Sequence, residues 1–300
     1  MRGGSRPVAH GATVCTLTPA QLARAAQLEA HQLRLQRLAR LSRAQLQALL
    51  SAEPVEAAAW VTSAAECGVP AAQLRLGRLL LEGRGCARDP AAAYRWFVRA
   101  AAGAGAGTGA GARTSVHAEA MNMVGRCHEL GWGVAANAAL AAASYRASAA
   151  AGHDWGQYNL GNLLFDGRGV ARDRRAALRC YLSAARQGHE RAMNLVGRCL
   201  EEGWGCERRP AEAAYWYARS AERGYVRGQF NHASMLAQQG SVQLAAGWFC
   251  RAAAGGDAAL RRTIIEALST AADPVLRRTG QQLRDGPYGR GARIASSSAG

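Results

Sequence analysis

The chain has 300 residues, about half of them hydrophobic and only 6% aromatic. Alanine dominates, which favours closely packed helices over a sheet of β-branched and aromatic side chains and points to an all-α protein. All 37 basic residues are arginine and the formal net charge is +16; a coding bias would produce this, as would an acidic or phosphate-bearing partner gripped by planar guanidinium forks. No long uncharged apolar stretch suits a membrane span, and MRGGSRPVAHGATVCTLTP lacks the apolar centre of a secretory signal, so a transmembrane or exported chain is not expected. The expected location is cytoplasmic.

Residues 1–18 read as a disordered N-terminus. Thr18, Pro19 and Gln21 then mark a helix start, and leucines at 22, 28, 35, 38, 41, 46 and 49 predict one or two helices reaching about residue 50. The stretch AAAWVTSAAECG at 57–68 reads as the second helix of a degenerate flanking repeat unit. From there a repeat takes over. Gly125, Gly161 and Gly197 are 36 residues apart, and Gly77 precedes Gly125 by 48, the excess falling on a Gly/Ala-rich insertion at 102–113 expected to be mobile.

Each unit follows its anchor glycine with a punctuated loop: LEGRGCARD, ELGWGVAAN, FDGRGVARD or EEGWGCERR. Loop glycines close a first helix. A second helix starts at once, with Asp89, Asn137 and Asp173 in the N-cap slot and Pro90 and Pro210 at the first helical position, whereas Arg209 breaks the capping rule. The second helices carry an aromatic or apolar pair at 96/97, 144/145, 180/181 and 216/217, then small residues that admit a neighbouring helix. Residues 230–256 read as a further unit with a loop four residues short, ALRRTIIEALST and DPVLRRTGQQL as terminal helices, and 285–300 as a disordered tail.

This pattern of anchor glycine, G-x-G loop, capping Asp and W/Y-x-x-A-A resembles the Sel1-like repeat, a bacterial relative of the tetratricopeptide repeats, over residues 71–256. The resemblance implies a right-handed α/α solenoid of about six helix pairs with N- and C-terminal capping helices, forming one domain over residues 19–284. It also implies a non-catalytic scaffold that holds a protein partner on a concave face lined by first helices. The segments QYNLGNLLFDGRGVA and RGQFNHA further resemble proteins that accompany bacterial iron acquisition, which implies a regulatory or iron-related setting.

Candidate contact residues follow from register. Leu74 and Arg78, Asn122 and Arg126, Tyr158 and Asn162, and Asn194 and Arg198 lie four apart on successive first helices, each pair on one face. Stacked units would align them along one wall suited to a partner with an acidic surface. A competing reading pairs Arg78 with Glu82 and Arg198 with Glu202 as solvated ion pairs, and gives Asn122 and Asn194 the task of tying neighbouring turns. Arg84, Trp132, Arg168 and Trp204 occupy one loop position in consecutive units, a pattern that predicts cation–π stacking along the loop edge or a partner contact at the tryptophans. MNMVGRCHELGWG at 121–133 and MNLVGRCLEEGWG at 193–205 point to duplication of a two-unit block.

Catalytic readings find little support. GRGCARD lacks the strand and the GK[ST] ending of a phosphate loop. The seven histidines have no i, i+4 partner of their own kind; His153 and His189 share a turn position 36 residues apart, where stacking could bring them near. Eight cysteines, at 15, 67, 86, 127, 180, 199, 206 and 250, form no CxxC pair and read as reduced thiols, with Cys127 and Cys199 buried. No metal, cofactor or specific nucleic acid is expected. Two alternatives remain: a hydrolase like the cysteine-rich, secreted, β-lactamase-like Sel1 proteins, or an arginine-mediated binder of nucleic acid or membrane, recognisable by steep salt dependence.

Overall fold

The computed structural model describes residues 18–38, 40, 54–103 and 110–286. The expectations for residues 1–17, for the later part of the leucine-rich segment, for the centre of the Gly/Ala insertion and for the tail beyond 286 lie outside them. Fourteen helices and no strand occur among the described residues. Helices α1 (Pro19–Leu38) and α2 (Pro54–Glu66) lead into five hairpins: α3 (Pro70–Glu82) with α4 (Pro90–Gly103), α5 (Ala110–Leu130) with α6 (Ala138–Ala150), α7 (Asp154–Asp166) with α8 (Arg174–Arg186), α9 (Glu190–Glu202) with α10 (Pro210–Glu222), and α11 (Val226–Gln238) with α12 (Val242–Gly255). A sixth pair, α13 (Ala258–Ser269) and α14 (Pro274–Asp285), closes the stack by burying Ile264, Leu268, Leu276 and Leu283 with Phe249 of α12. The insertion leaves α4 helical to Gly103 and starts α5 at Ala110, so α5 runs for 21 residues against 13 in α7 and α9.

Local chemistry sets these boundaries. The carboxylates of Asp89 and Asp173 accept hydrogen bonds from Ala92 N and Ala176 N at 2.8 Å, and the Asn137 side chain accepts from Ala139 N and Leu140 N at 3.0 Å. Each such cap contributes about 1 kcal/mol. Arg209 supplies no side-chain cap, and α10 starts on the pre-set φ of Pro210 instead. At the C-terminal ends of the first helices α3, α7 and α9, Arg88, Arg172 and Arg208 donate from Nε to the carbonyls of Leu81, Phe165 and Glu201 at 3.1, 3.1 and 2.8 Å. Part of the arginine content therefore serves helix ends, where a cation meets unpaired carbonyls and the negative end of the helix dipole.

In the first four units two glycines set the packing, while the fifth has Ala233 at the anchor position. The anchor glycine faces the aromatic ring twenty residues later: Gly77 faces Phe97, Gly125 Tyr145, Gly161 Tyr181 and Gly197 Tyr217. A methyl group at Gly125, Gly161 or Gly197 would stand 2.5 to 2.6 Å from the ring, so only glycine lets the two helices of a hairpin close over it. These four aromatics are buried to 2% exposure or less. The second loop glycine locks one unit to the previous one. Gly205, at φ +78°, lies directly against the Arg174 carbonyl at the start of α8, and Gly85, Gly133 and Gly169 repeat the contact on Pro54, Pro90 and Ala138. The contact of Gly85 on Pro54 gives α2 the place of a second helix in a preceding, degenerate unit.

First helices of successive units approach one another, α3 with α5, α5 with α7 and α9 with α11, and the second helices α4 to α12 do not come equally close. The first helices therefore line the inside of the curve. At the joint between the third and fourth units, the buried His189 caps α9 by accepting from Ala192 N at 3.2 Å through Nδ1, and packs against Trp155 and Tyr158 at ring distances of 4.5 and 4.7 Å. His153, its equivalent, faces Asp154 at 3.7 Å instead, so the two histidines serve separate turns.

Replacing Gly197 by alanine is expected to lower stability by about 1–3 kcal/mol through overpacking against Tyr217. Gly247→Ala on α12, where a methyl group meets nothing within 4 Å, should be neutral or raise stability by up to about 1 kcal/mol; urea denaturation of both variants checks the contrast. Burial, opposed by the Asp154 and Glu190 carboxylates, holds His189 below its ordinary value. The unfolded chain therefore takes up that proton first, and its contribution to stability is complete above about pH 6.5 and declines as pH falls below it. His189→Asn keeps a capping acceptor without a titrating group, so stability measured from pH 7.5 down to about 5 should fall less steeply in the variant than in the parent.

Candidate partner-binding groove

The row of first-helix residues divides in the structure. Arg78 is exposed and pairs with Glu119 of α5 rather than with Glu82. Asn122 and Asn194, 5% and 4% exposed, are interior rungs: Asn159 Nδ2 donates to Asn122 Oδ1 at 2.9 Å, and Asn231 Nδ2 to Asn194 Oδ1 at 2.8 Å. These amides tie one first helix to the next. Asn162 accepts from the Tyr181 hydroxyl at 3.0 Å. Arg126 lies over the ring of Trp132 at 4.8 Å and Arg198 over Trp204 at 5.0 Å. The stacking is thus within a unit, from first helix to its own loop. Arg168 instead pairs with Glu129 at 2.9 Å and Asp166 at 3.4 Å.

The two-unit duplication is built into these contacts. The Tyr145 and Tyr217 hydroxyls donate to Glu129 and Glu201 at 2.6 Å, and Ser148 and Ser220 donate to the carbonyls of Ala118 and Glu190 at 2.6 and 2.8 Å. With the asparagine rungs and the arginine–tryptophan stacks, four contacts recur 72 residues apart. Units one and three differ together at both partners. Phe97 lacks a hydroxyl and Leu81 stands where glutamate would accept it, while Tyr181 turns to Asn162 because Phe165 holds the glutamate position.

Three predicted residues, Tyr158, Asn194 and Arg198, come together in a groove of about 440 Å³ on the inner face between α7, α9, α11 and the start of α13. Arg191, Tyr225, Arg227 and Asn231 complete its walls. These four escape a reading by anchor position, although the 36-residue spacing of Arg191 and Arg227 is a signal in the sequence. Arg191, Arg198 and Arg227 are exposed, and the lining holds one carboxylate, Asp257, which also caps α13 by accepting from Leu260 N at 2.8 Å. A smaller hollow of about 210 Å³ shares Arg198 and adds Asn162, Tyr181 and Trp204. Arg78, Asn122, Arg126 and Trp132 lie outside both hollows.

The lining of the main groove contains no histidine, cysteine or serine. Burial pushes the Cys127 thiol up to about 11 and Cys199 to about 12, which keeps both protonated and unreactive. The seven described cysteines are free thiols. Among the described residues no three His, Cys, Asp or Glu side chains gather as a metal site, and no helix is long and apolar enough to cross a membrane.

The chain is similar in fold to a Sel1 repeat protein from Oxalobacter formigenes, at 24% identity and a TM-score of 0.59, covering 73% of this chain and 88% of that one. It is also similar to c5321, a protective antigen of uropathogenic Escherichia coli strains with an SLR fold, at 26% identity and a TM-score of 0.51, covering 88% of this chain and 61% of that one. No curated protein matches the sequence. The Sel1 repeat family matches residues 70–104, 118–153, 156–189, 190–225 and 228–257, five hairpins that make up more than half of the chain. Its members generally act as non-catalytic protein-interaction scaffolds. The matched repeats and the hairpins they form make this chain a member of the Sel1 repeat family.

Proposed function

We propose that the chain is a cytoplasmic scaffold that holds an extended, acidic segment of a partner protein in the groove between α7, α9, α11 and α13. The observation that carries this reading is a difference between positions one two-unit step apart. The joints recur, and so do Asn194, Arg198 and Asn231 of the groove, but the rest of the named wall does not: Tyr158, Arg191, Tyr225 and Arg227 stand where the equivalent positions one step earlier hold Leu74, Glu119, His153 and Trp155. Glu119 is consumed by its pair with Arg78, whereas Arg191 and Arg227 join Arg198 around an open hollow. Carboxylates suit paired guanidinium forks, and Tyr158 and Tyr225 offer amphipathic walls to the intervening side chains. A regulatory or iron-acquisition setting would then depend on which protein carries the acidic segment, since the groove presents arginine and amide groups and a single carboxylate.

An array of extended peptides of graded acidity, probed with wild type and with Arg191→Glu/Arg198→Glu/Arg227→Glu at two salt concentrations, tests the reading. Acidic peptides should bind wild type and lose at least tenfold in affinity with the triple variant, at unchanged helicity by circular dichroism. Equal retention by the two proteins would remove the groove from the account.

A further inference from the structure

The two helical layers differ in charge. The five first helices α3, α5, α7, α9 and α11 contain seven arginines and eight acidic residues, while the five second helices α4, α6, α8, α10 and α12 contain nine arginines and two acidic residues, Glu212 and Glu222. A coding bias raises arginine in both layers but does not clear acids from one of them. Among the helices of the repeats the net positive charge therefore lies on the second helices, away from the groove.

The outer arginines are free to act. Arg95, Arg146, Arg175 and Arg179 are exposed, and among the described residues no carboxylate lies within 4.0 Å of them. Arg146 of α6 is near enough to Cys180 of α8 for its charge to act there beside that of Arg179, so the basic surface continues from one unit to the next. The same layer exposes apolar side chains: Val98, Leu140, Tyr215 and Leu244 are each at least 41% accessible.

We propose that the outer face of the solenoid docks on an anionic lipid bilayer, with arginines on the headgroup phosphates and the exposed Val and Leu side chains at the acyl boundary. Charge complementarity and the apolar side chains favour a bilayer over a nucleic acid. Base edges are read by amide groups and bases stack on open rings, but Gln243 is the one Asn or Gln on the second helices. Trp96, Trp248 and Tyr215 already carry Arg99, Arg251 and Arg219 over their rings at 4.8, 4.6 and 5.7 Å, although Tyr215 stays 54% exposed. A convex face also meets a broad surface more readily than it encloses a strand. Juxtaposed arginines gain from an anionic leaflet through its surface potential, within roughly one Debye length.

The test is co-sedimentation of the full chain with vesicles of phosphatidylcholine alone or with about one third phosphatidylglycerol. Wild type should sediment with the anionic vesicles only, and release as salt rises. Arg95→Gln/Arg146→Gln/Arg175→Gln/Arg179→Gln, all exposed positions, should lower the partition coefficient by on the order of 1,000-fold, while the groove triple variant should partition like wild type. Three results would overturn the proposal: no binding to anionic vesicles, equal binding by the quadruple variant, or preferential binding of duplex RNA with the vesicles left free.

Discussion

A ring seated on a glycine organises this molecule. In every clear repeat the first helix carries a glycine and the second an aromatic twenty residues later, at a separation that leaves no room for a Cβ. The contact sets how closely the two helices cross and buries a large ring in a chain with few aromatics to spend on its core. Because the ring is fully enclosed, its hydroxyl must find an acceptor, and the acceptor comes from the same first helix: Glu129, Asn162 or Glu201. Burial and the hydrogen bond to Glu201 together raise the Tyr217 hydroxyl well above the ordinary phenol value, so the donor stays protonated across the working pH range. The second loop glycine carries this order to the previous unit by meeting the start of its second helix. Stability is thus built hairpin by hairpin and joint by joint, as in other quasi-one-dimensional folds.

Seen this way, the duplicated block separates construction from function. The tyrosine–glutamate bond, the asparagine rung, the serine-to-carbonyl bond and the arginine–tryptophan stack all recur at the same positions in both copies, because the same joint must be made twice. Of the side chains that line the open groove, Arg198 and the asparagines repeat, but others changed. Glu119, which pairs internally, has the exposed Arg191 as its counterpart 72 residues later, and Tyr225 and Arg227 stand 72 residues after His153 and Trp155. Joint residues are constrained by the neighbours they must fit, whereas the groove side chains that differ face solvent, where the proposed partner would meet them.

The architecture was legible in the sequence because its devices are periodic. Anchor glycines, loop glycines, capping Asp and Asn, and the aromatic position all announce themselves by spacing, and the weaker unit at 230–256 and the terminal pair follow from the same rules. The contact surface was less legible, for a geometric reason. Register placed the asparagines on the inner face, but an inner face has a buried seam between helices as well as an open floor, and Asn122 and Asn194 fell in the seam. Register likewise suggested Arg78 with Glu82, whereas the neighbouring helix offered Glu119 at closer quarters. The 36-residue spacing of Arg191 and Arg227 is legible in the sequence, but that they and Tyr225 share one hollow follows only from the path of α9 and α11 around it.

The central claim, that the anchor glycine exists to admit the ring, is tested most directly by a double-mutant cycle between Gly197 and Tyr217. The account predicts that Gly197→Ala is destabilising in the parent but costs little, or stabilises, once Tyr217→Ala has removed the ring. The coupling, measured by urea denaturation, should exceed about 1 kcal/mol. If Gly197→Ala costs the same in both backgrounds, the glycine is required for some other reason and the organising contact proposed for every repeat is wrong.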